Sequence, residues 1–495
     1  MDSDSAPFAE KLNALLADHT AQWVVLLAAA FLLLFINAYQ SGLYGDALIY
    51  AGEARLIADS GEYFTLRFGQ ELNHHGPLLF WLAAVTIKLF GPTPFAATLF
   101  SRLFGIGCVV LTGWLGTYLF GRNVGWFAAL ALVTCYTFTR NTTTLRMDSA
   151  VTFGVLLAML GYFRGEEWWG APLFFLGIVI GVLAKSLPGF LPLFLAPLHA
   201  LLTGNFHWPW KKPARRWLYW SPLLILAISW WGYLAWIYGS KVFVFYLNDF
   251  SSTDHQAGGV FRLQRFFETY FLDFGVKFLP WIVFTVFGLG ALTRAALDSK
   301  KQRSQRADAA LLLAWILAVV IAGGLKPSQY QRYWMPALPA VAVATAISVV
   351  RLLGNRMPTW IPATVAALTI IAAGGFTALP VASRGGSSEK LSAMAELINH
   401  RLAPGTPVPI LTLKGQSERT AFVPAGDRGR CRFYFGREAQ PLTLSGANDE
   451  MLQGRVMMIV PKEVYGRLAG RLKLDPLIQT DFWVLAETTP ALILL

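Results

Sequence analysis

Residues 22–40, QWVVLLAAAFLLLFINAYQ, carry no charged side chain, no proline and no glycine. As a helix, such a stretch crosses a hydrocarbon core, which takes roughly 20 consecutive apolar residues. Further apolar stretches follow near 97–120, 124–140, 149–164, 171–184, 188–203, 218–238, 278–297, 309–324, 334–351 and 360–380. Pro77–Phe90, PLLFWLAAVTIKLF, is apolar but shorter, and reads as a helix lying along the interface. The expected fold is a polytopic α-helical membrane protein of about 11 transmembrane helices, with interfacial helices in the first outer loop. A small C-terminal α/β domain completes it.

Bulk composition agrees. The 495 residues are 55% hydrophobic and only 14% charged, whereas soluble domains carry about 25% charged residues. A mean hydropathy of +0.48 over this length exceeds what one soluble core absorbs, because cores stop growing near ~250–300 residues. Lys and Arg number 41 against 29 Asp and Glu, a formal charge of +12. In a soluble chain that excess would suggest nucleic acid. Here it flanks apolar spans, as the positive-inside bias requires, and no nucleic-acid partner is expected.

The basic clusters set the orientation. KKPARR (Lys211, Lys212, Arg215, Arg216) and RAALDSKKQRSQR (Arg294 to Arg306) are the densest. Both become cytoplasmic if Pro77–Phe90 does not cross and the N-terminus is inside. Arg122, Arg164, Arg351 and Arg356 join them, and the C-terminus falls outside. The first 20 residues lack a basic region followed by an apolar stretch, so the first span is expected to serve as its own anchor. The expected division is a cytoplasmic segment 1–21, a transmembrane domain 22–382 and a periplasmic α/β domain 383–495. In that last part EKLSAMAELINHRL has helical spacing, while VPILTL, CRFYF, VMMIV and FWVLAE read as short strands. The three cysteines suggest no disulfide framework. No internal repeat is evident, which weakens an inverted-repeat transporter reading.

Three outer loops remain, at 41–76, 140–148 and 239–277, and they hold the residues with chemistry. Asp46 opens DALIYAGEARLIADS, an amphipathic helix with Glu53 and Arg55 on its polar side. An aspartate there serves as a helix cap, or as a carboxylate at the lipid boundary that orients an acceptor nucleophile. Asp148, in RNTTTLRMDSAVTFGVLL, has the same two readings, and Arg140 and Arg146 beside it favour its ionised form. Two acidic residues opening helices on one membrane face are expected to meet at one outer cavity. His74, His75 and His255 lie in outer loops, and His74 with His255 would suit a divalent metal, zinc or Mg/Mn. Lys185, Lys326 and Arg332 sit at outer span ends. They either snorkel to the interface or neutralise a phosphate.

Taken in order, GDALIYAGEARLIA, HGPLLFWL, FGPTPFAATLFSRLFG, FGRNVGWFAALAL, LRMDSAVTFGVLL, VLAKSLPGFLPL and KPSQYQRYWMPALPA resemble the bacterial polyprenyl-phosphate-dependent glycosyltransferases of the glycosyltransferase C superfamily. The lipid A aminoarabinose transferases and protein O-mannosyltransferases are the nearest kinds. The similarity runs from about residue 40 to about residue 350, and GREAQPLTL and GRVMMIVPKEVYGRL resemble the periplasmic tail of such enzymes.

The resemblance implies transfer of a sugar from an undecaprenyl-phosphate-like carrier to a lipid or glycolipid acceptor, at the periplasmic face of a bacterial inner membrane. It carries catalytic roles onto Asp46 and Asp148. It implies donor-phosphate contacts by Lys185, Lys326, Arg332 and His75, and a substrate pocket including Glu53, Tyr330 and Tyr333. Two departures are visible. Where the family often has a Glu-Lys-Pro motif this chain has His74-His75-Gly76-Pro77, and the family's acidic pair is Asp46-Ala47 here. The second favours an acceptor that is already ionised. A polysaccharide ligase or polymerase, supported by His255, Arg262 and Arg265, and a lipid-linked sugar flippase are the alternatives.

Overall fold

The computed structural model describes residues 17–36, 38, 43, 45–64, 67–68, 71–72, 76–204, 212–241, 244, 267–324, 330–354, 357–378, 388–412, 425–443, 457–468, 474–480 and 483–488. They divide into two compact units. The first comprises Met1–Ile36, His74–Leu79 and Ser101–Leu379, and the second Asn37–Asn73, Phe80–Phe100 and Pro380–Leu495.

The first unit is helical. Its elements are α1 (His19–Phe35), then α5 (Arg122–Val133), α6 (Tyr136–Thr142), α7 (Asp148–Phe163), α8 (Gly170–Lys185), α9 (Leu191–Thr203), α10 (Lys212–Trp220) and α11 (Leu223–Tyr238). After these come α12 (Trp281–Leu297), α13 (Arg303–Gly324), α14 (Leu338–Leu353) and α15 (Trp360–Ala378). Two helices between α1 and α5 are divided by the unit boundaries, α3 (Leu78–Phe90) and α4 (Pro94–Phe120). The expected interfacial segment is thus helical.

Among the described residues, four helices are both long and apolar enough to cross a membrane: Pro94–Phe120, Arg215–Tyr238, Arg303–Gly324 and Gln331–Leu353. A fifth is completed if Phe271–Lys277 and Trp281–Leu297, bent by 114°, form one span. Shorter apolar helices, such as His19–Phe35 and Asp148–Phe163, accompany them. This is a polytopic membrane architecture.

Packing in the first unit follows side-chain size. Helix α14 is buried continuously from Leu338 to Val349. Helices α7 and α8 approach through glycines: a Cβ on Gly154 would stand 2.5 Å from the Gly177 carbonyl. Lipid supplies no hydrophobic drive between helices, so small residues that admit close backbone contact hold them together. Two buried indoles are satisfied, Trp126 Nε1 donating to the Gln22 carbonyl at 3.0 Å and Trp315 Nε1 to the Pro336 carbonyl at 2.8 Å.

The second unit joins Asn37–Asn73 and Phe80–Phe100 to the tail that starts at Pro380. Helix α2 (Asp46–Ser60) starts at Gly45, whose φ of 56° favours glycine. The tail contains α16 (Ser388–Arg401), β3 (Val408–Thr412), α17 (Ala425–Arg430), β4 (Ala439–Thr443), β5 (Met457–Pro461), α18 (Lys462–Leu468), β6 (Leu474–Gln479) and β7 (Trp483–Thr488). A five-stranded sheet has the order β4-β3-β5-β7-β6. Strand β3 is parallel to β4 and β5, and β7 is antiparallel to β5 and β6. A short hairpin of β1 (Arg67–Phe68) and β2 (Glu71–Leu72) completes the unit. Arg437 holds the end of α16, donating to the carbonyls of Leu402, Ala403 and Thr406 and to Asn399 Oδ1 at 2.6–3.0 Å.

Two expectations are corrected here. CRFYF is not a strand: Cys431–Phe435 continues α17 as a π-helical turn. Its aromatic residues are buried in that form, so tertiary packing overrides their strand preference. Second, the polar side of α2 does not face water. Glu53 is fully buried and lies 3.7 Å from Arg432, and Arg55 Nη1 donates to the Phe433 carbonyl at 2.6 Å. Burial pushes the Tyr434 phenol up to about 12, and the three cysteines are buried free thiols.

Helix α2 and α17 meet glycine to glycine. A Cβ on Gly52 would stand 2.9 Å from the Gly429 carbonyl oxygen and 3.0 Å from Arg432 Cβ. Gly52→Val is therefore expected to push α2 off the 425–435 segment. The cost is about 1–3 kcal/mol, as for overpacked cores. Faster proteolysis of the tail and a lower Tm would report it; an unchanged digestion pattern would contradict the contact.

Candidate active site

Within the first unit, one region concentrates charge. Asp148 is the first residue of α7, and Met147, not Asp148, holds the capping position. The carboxylate, almost wholly buried, instead forms an ion pair with the ammonium of Lys185, the last residue of α8. Arg332 and Arg146 also act electrostatically on Asp148. Lys185 Nζ stands 5.0 Å from the centre of the Tyr333 ring, and the Arg332 guanidinium 4.3 Å from that of Tyr330. Aromatic faces attract such cations and fix their direction.

The backbone after Lys185 is strained. Ser186 has φ 61° and ψ −118°, a conformation that ordinarily takes glycine. It turns the chain sharply into the 3₁₀ segment Leu187–Phe190. Gly76, from the His-His-Gly-Pro stretch, lies against the Leu183 carbonyl on the last turn of α8. A side chain at 76 would collide with that backbone.

Beside the ion pair is a cavity of about 350 Å³. Among the described residues, its lining carries the cations Arg140, Arg146, Lys277 and Arg332 and the carboxylate of Asp273. Helix α6 supplies Tyr136, Thr137, Arg140 and Asn141, the turn Glu268–Asp273 and its continuation supply Thr269, Asp273 and Lys277, and the 3₁₀ segment Gln331–Ala337 supplies Gln331 and Arg332.

Gln331 fastens these walls together. Its amide donates to the Thr269 carbonyl at 3.0 Å and to Asp273, while its oxygen accepts from Thr137 and Lys277, each at 3.4 Å. Lys277 also donates to Asp273 at 2.6 Å. Arginines in such a wall suit the paired oxygens of a phosphate.

The structure therefore brings together Asp148, Lys185, Arg332, Tyr330 and Tyr333, all expected from sequence. Asp46 opens α2 in the second unit and is described there by itself. Glu53, expected in a substrate pocket, is the buried partner of Arg432. His74, His75, His255 and Lys326 lie outside the described residues. Among the described residues no cluster of three or more metal-capable side chains occurs.

Sequence reasoning missed the cavity walls. Arg140 and Arg146 were legible only as charges near Asp148, while Asp273, Lys277 and Gln331 were not singled out. The spacing of Asp273 and Lys277, one helical turn apart, was the available signal.

Comparison with known proteins gives a consistent picture. Residues 74–233 match the family described as dolichyl-phosphate-mannose-protein mannosyltransferase. A protein of Aquifex aeolicus, described only as uncharacterized, is 25% identical over 339 residues, covering 66% of this chain and 63% of its own length. ArnT from Cupriavidus metallidurans in the apo state superposes with a TM-score of 0.70 at 16% identity, covering 96% of this chain and 99% of that one. The same protein bound to undecaprenyl phosphate gives 0.68 at 15%, covering 95% and 98%. Archaeal oligosaccharyltransferase AglB from Archaeoglobus fulgidus, in complex with an inhibitory peptide and a dolichol-phosphate, gives 0.51 at 13%, covering 80% and 62%.

Proposed function

We propose that this chain, whose fold is similar to that of ArnT, is a glycosyltransferase of the glycosyltransferase C superfamily that transfers a sugar from a polyprenyl-phosphate carrier to a lipid acceptor. The acceptor is lipid A-like or another glycolipid, on the periplasmic face of a bacterial inner membrane. The observation that carries the reading is the cavity whose described lining brings together four cations and one carboxylate, next to the Asp148–Lys185 pair. The undecaprenyl phosphate and dolichol-phosphate bound in the solved relatives support a lipid-phosphate carrier. The orientation with about 11 spans, an inner N-terminus and an outer tail is part of the same proposal, supported by the basic loops.

Each step has a residue. Arg332 and Arg146 bind the carrier phosphate, with Lys185 at its side and Lys326 and His75 as further cations. Tyr330 and Tyr333 orient the cations by their ring faces. The bond from the anomeric carbon to the phosphate oxygen breaks, and its electron pair stays on the carrier phosphate. That charge is neutralised by cations already in place, which lowers the barrier without reorganisation. The acceptor oxygen closes the new bond to the anomeric carbon. An acceptor hydroxyl passes its proton to the Asp46 carboxylate, whereas an ionised acceptor needs no base. A divalent metal at His74 and His255 is a separate proposal, and no step depends on it.

Purified protein in liposomes, given radiolabelled polyprenyl-phosphate sugars and a lipid extract, tests the reading. Label is expected to move onto a lipid. Arg332→Gln is expected to weaken undecaprenyl phosphate binding about 10- to 100-fold, the loss of a charge-assisted hydrogen bond. Label that stays on the carrier and only changes leaflet would replace this reading with a flippase. Loss of transfer on chelation, restored by zinc or manganese, would support the metal.

A further inference from the structure

Arg102 is the single charged residue of α4, and it is fully buried. A guanidinium at membrane depth is costly and is retained where it has specific partners and a task. Among the described residues its partners include two backbone carbonyls. Nη1 donates to Leu34, in the last turn of α1, and Nη2 donates to Thr143, just past the end of α6, at 2.8 Å. Carbonyls at helix ends have no intrahelical donor, and hydrocarbon provides no water to replace one.

Neighbouring side chains on the same helix extend the pattern. Ser101 Oγ donates to the Arg146 carbonyl at 3.4 Å, and Cys108 Sγ to the Ser149 carbonyl at 3.5 Å. Helix α4 thus holds the backbone at 143, 146 and 149. Those three carbonyls bracket the residues that deliver Arg146 to the cavity and Asp148 to Lys185.

The geometry points to Arg102 as a positioning residue for the anion cavity. It fixes the 143–147 turn so that the Arg146 guanidinium stands in the cavity wall and Asp148 faces Lys185. The ligand side of this inference rests on the proposed lipid-phosphate carrier; the loop side does not. A lysine at 102 keeps the charge but reaches one carbonyl instead of two, so it separates loss of charge from loss of the two-point hold.

The test is a double-mutant cycle on the full chain in detergent, read by undecaprenyl phosphate affinity and by amide hydrogen exchange. Arg102→Lys is expected to weaken binding about tenfold in the wild-type background and less than about twofold when Arg146→Gln is already present, as for coupled residues. Exchange over 143–149 is expected to accelerate, while 122–133 stays unchanged. Equal losses in both backgrounds, or unchanged exchange at 143–149, would overturn the assignment. If the wild-type protein does not bind undecaprenyl phosphate, the carrier reading fails, and accelerated exchange still supports the loop-holding role. If Arg102→Lys does not fold, Ser101→Ala provides the same cycle with a smaller perturbation.

Discussion

Asp46→Asn is expected to reduce sugar transfer to a hydroxyl acceptor by about 10²- to 10⁴-fold, the range for loss of a general acid–base group, and to leave transfer to an ionised acceptor nearly unchanged. Undecaprenyl phosphate affinity is expected to stay within a factor of about 3, less than 1 kcal/mol. The split follows from the groups themselves: the cavity cations Arg140, Arg146, Lys277 and Arg332 are unchanged by the substitution. Helix α2 keeps its start at Gly45 and its brace at Gly52, Glu53 and Arg55. The amide is nearly isosteric with the carboxylate and forfeits only its charge near the helix start, about 0.3–1 kcal/mol. Transfer to a hydroxyl acceptor at the wild-type rate, with any of the radiolabelled donors, would remove Asp46 from the mechanism. A parallel loss of carrier binding and of Tm would instead make it a structural residue.

The sequence was legible where one helix determines its own reading. Long apolar runs marked the helices, and Asp148, Lys185 and the KPSQYQRYW segment were identifiable as charges at the ends of such runs. What it did not contain is which ends meet. Asp148 reads as a helix cap by position, yet its partner lies 37 residues away on α8, and no periodicity encodes that pairing. The cavity wall from 268 to 277 was hidden for a different reason. Its residues read as loop, whereas they form a π-helical turn leading into Phe274–Lys277. Such turns interrupt regular spacing and often occur at functional sites. CRFYF shows the converse error. Aromatic content suggested a strand, but Arg432 on that segment pairs with Glu53 and the backbone continues from a helix. Glu53, which the resemblance assigns to a substrate pocket, is buried against Arg432 in the brace that holds the helix carrying Asp46.

The second large effect concerns the Asp148–Lys185 pair, and it separates stability from chemistry. Lys185→Met leaves a carboxylate whose side chain is 6% exposed without its ammonium. Breaking a buried pair on one side costs about 3–5 kcal/mol, so a pronounced fall in Tm is expected. Asp148→Asn should cost less, because the ammonium keeps the Tyr333 ring at 5.0 Å and its side chain is 22% exposed. Combining Asp148→Asn with Lys185→Met removes both charges together, and pairs replaced as a unit are often neutral or stabilising. The double variant is therefore expected to recover most of the lost Tm. Transfer should not recover with it, since the carboxylate and the phosphate-side cation are both absent. Thermal unfolding in detergent and label transfer in liposomes, measured on the same three variants, decide the matter. Recovery of transfer alongside Tm would make the pair a packing device and leave the chemistry to Arg146, Arg332 and Asp46. Recovery of Tm alone assigns the pair to the reaction, because a stable fold without it would then be a fold without activity.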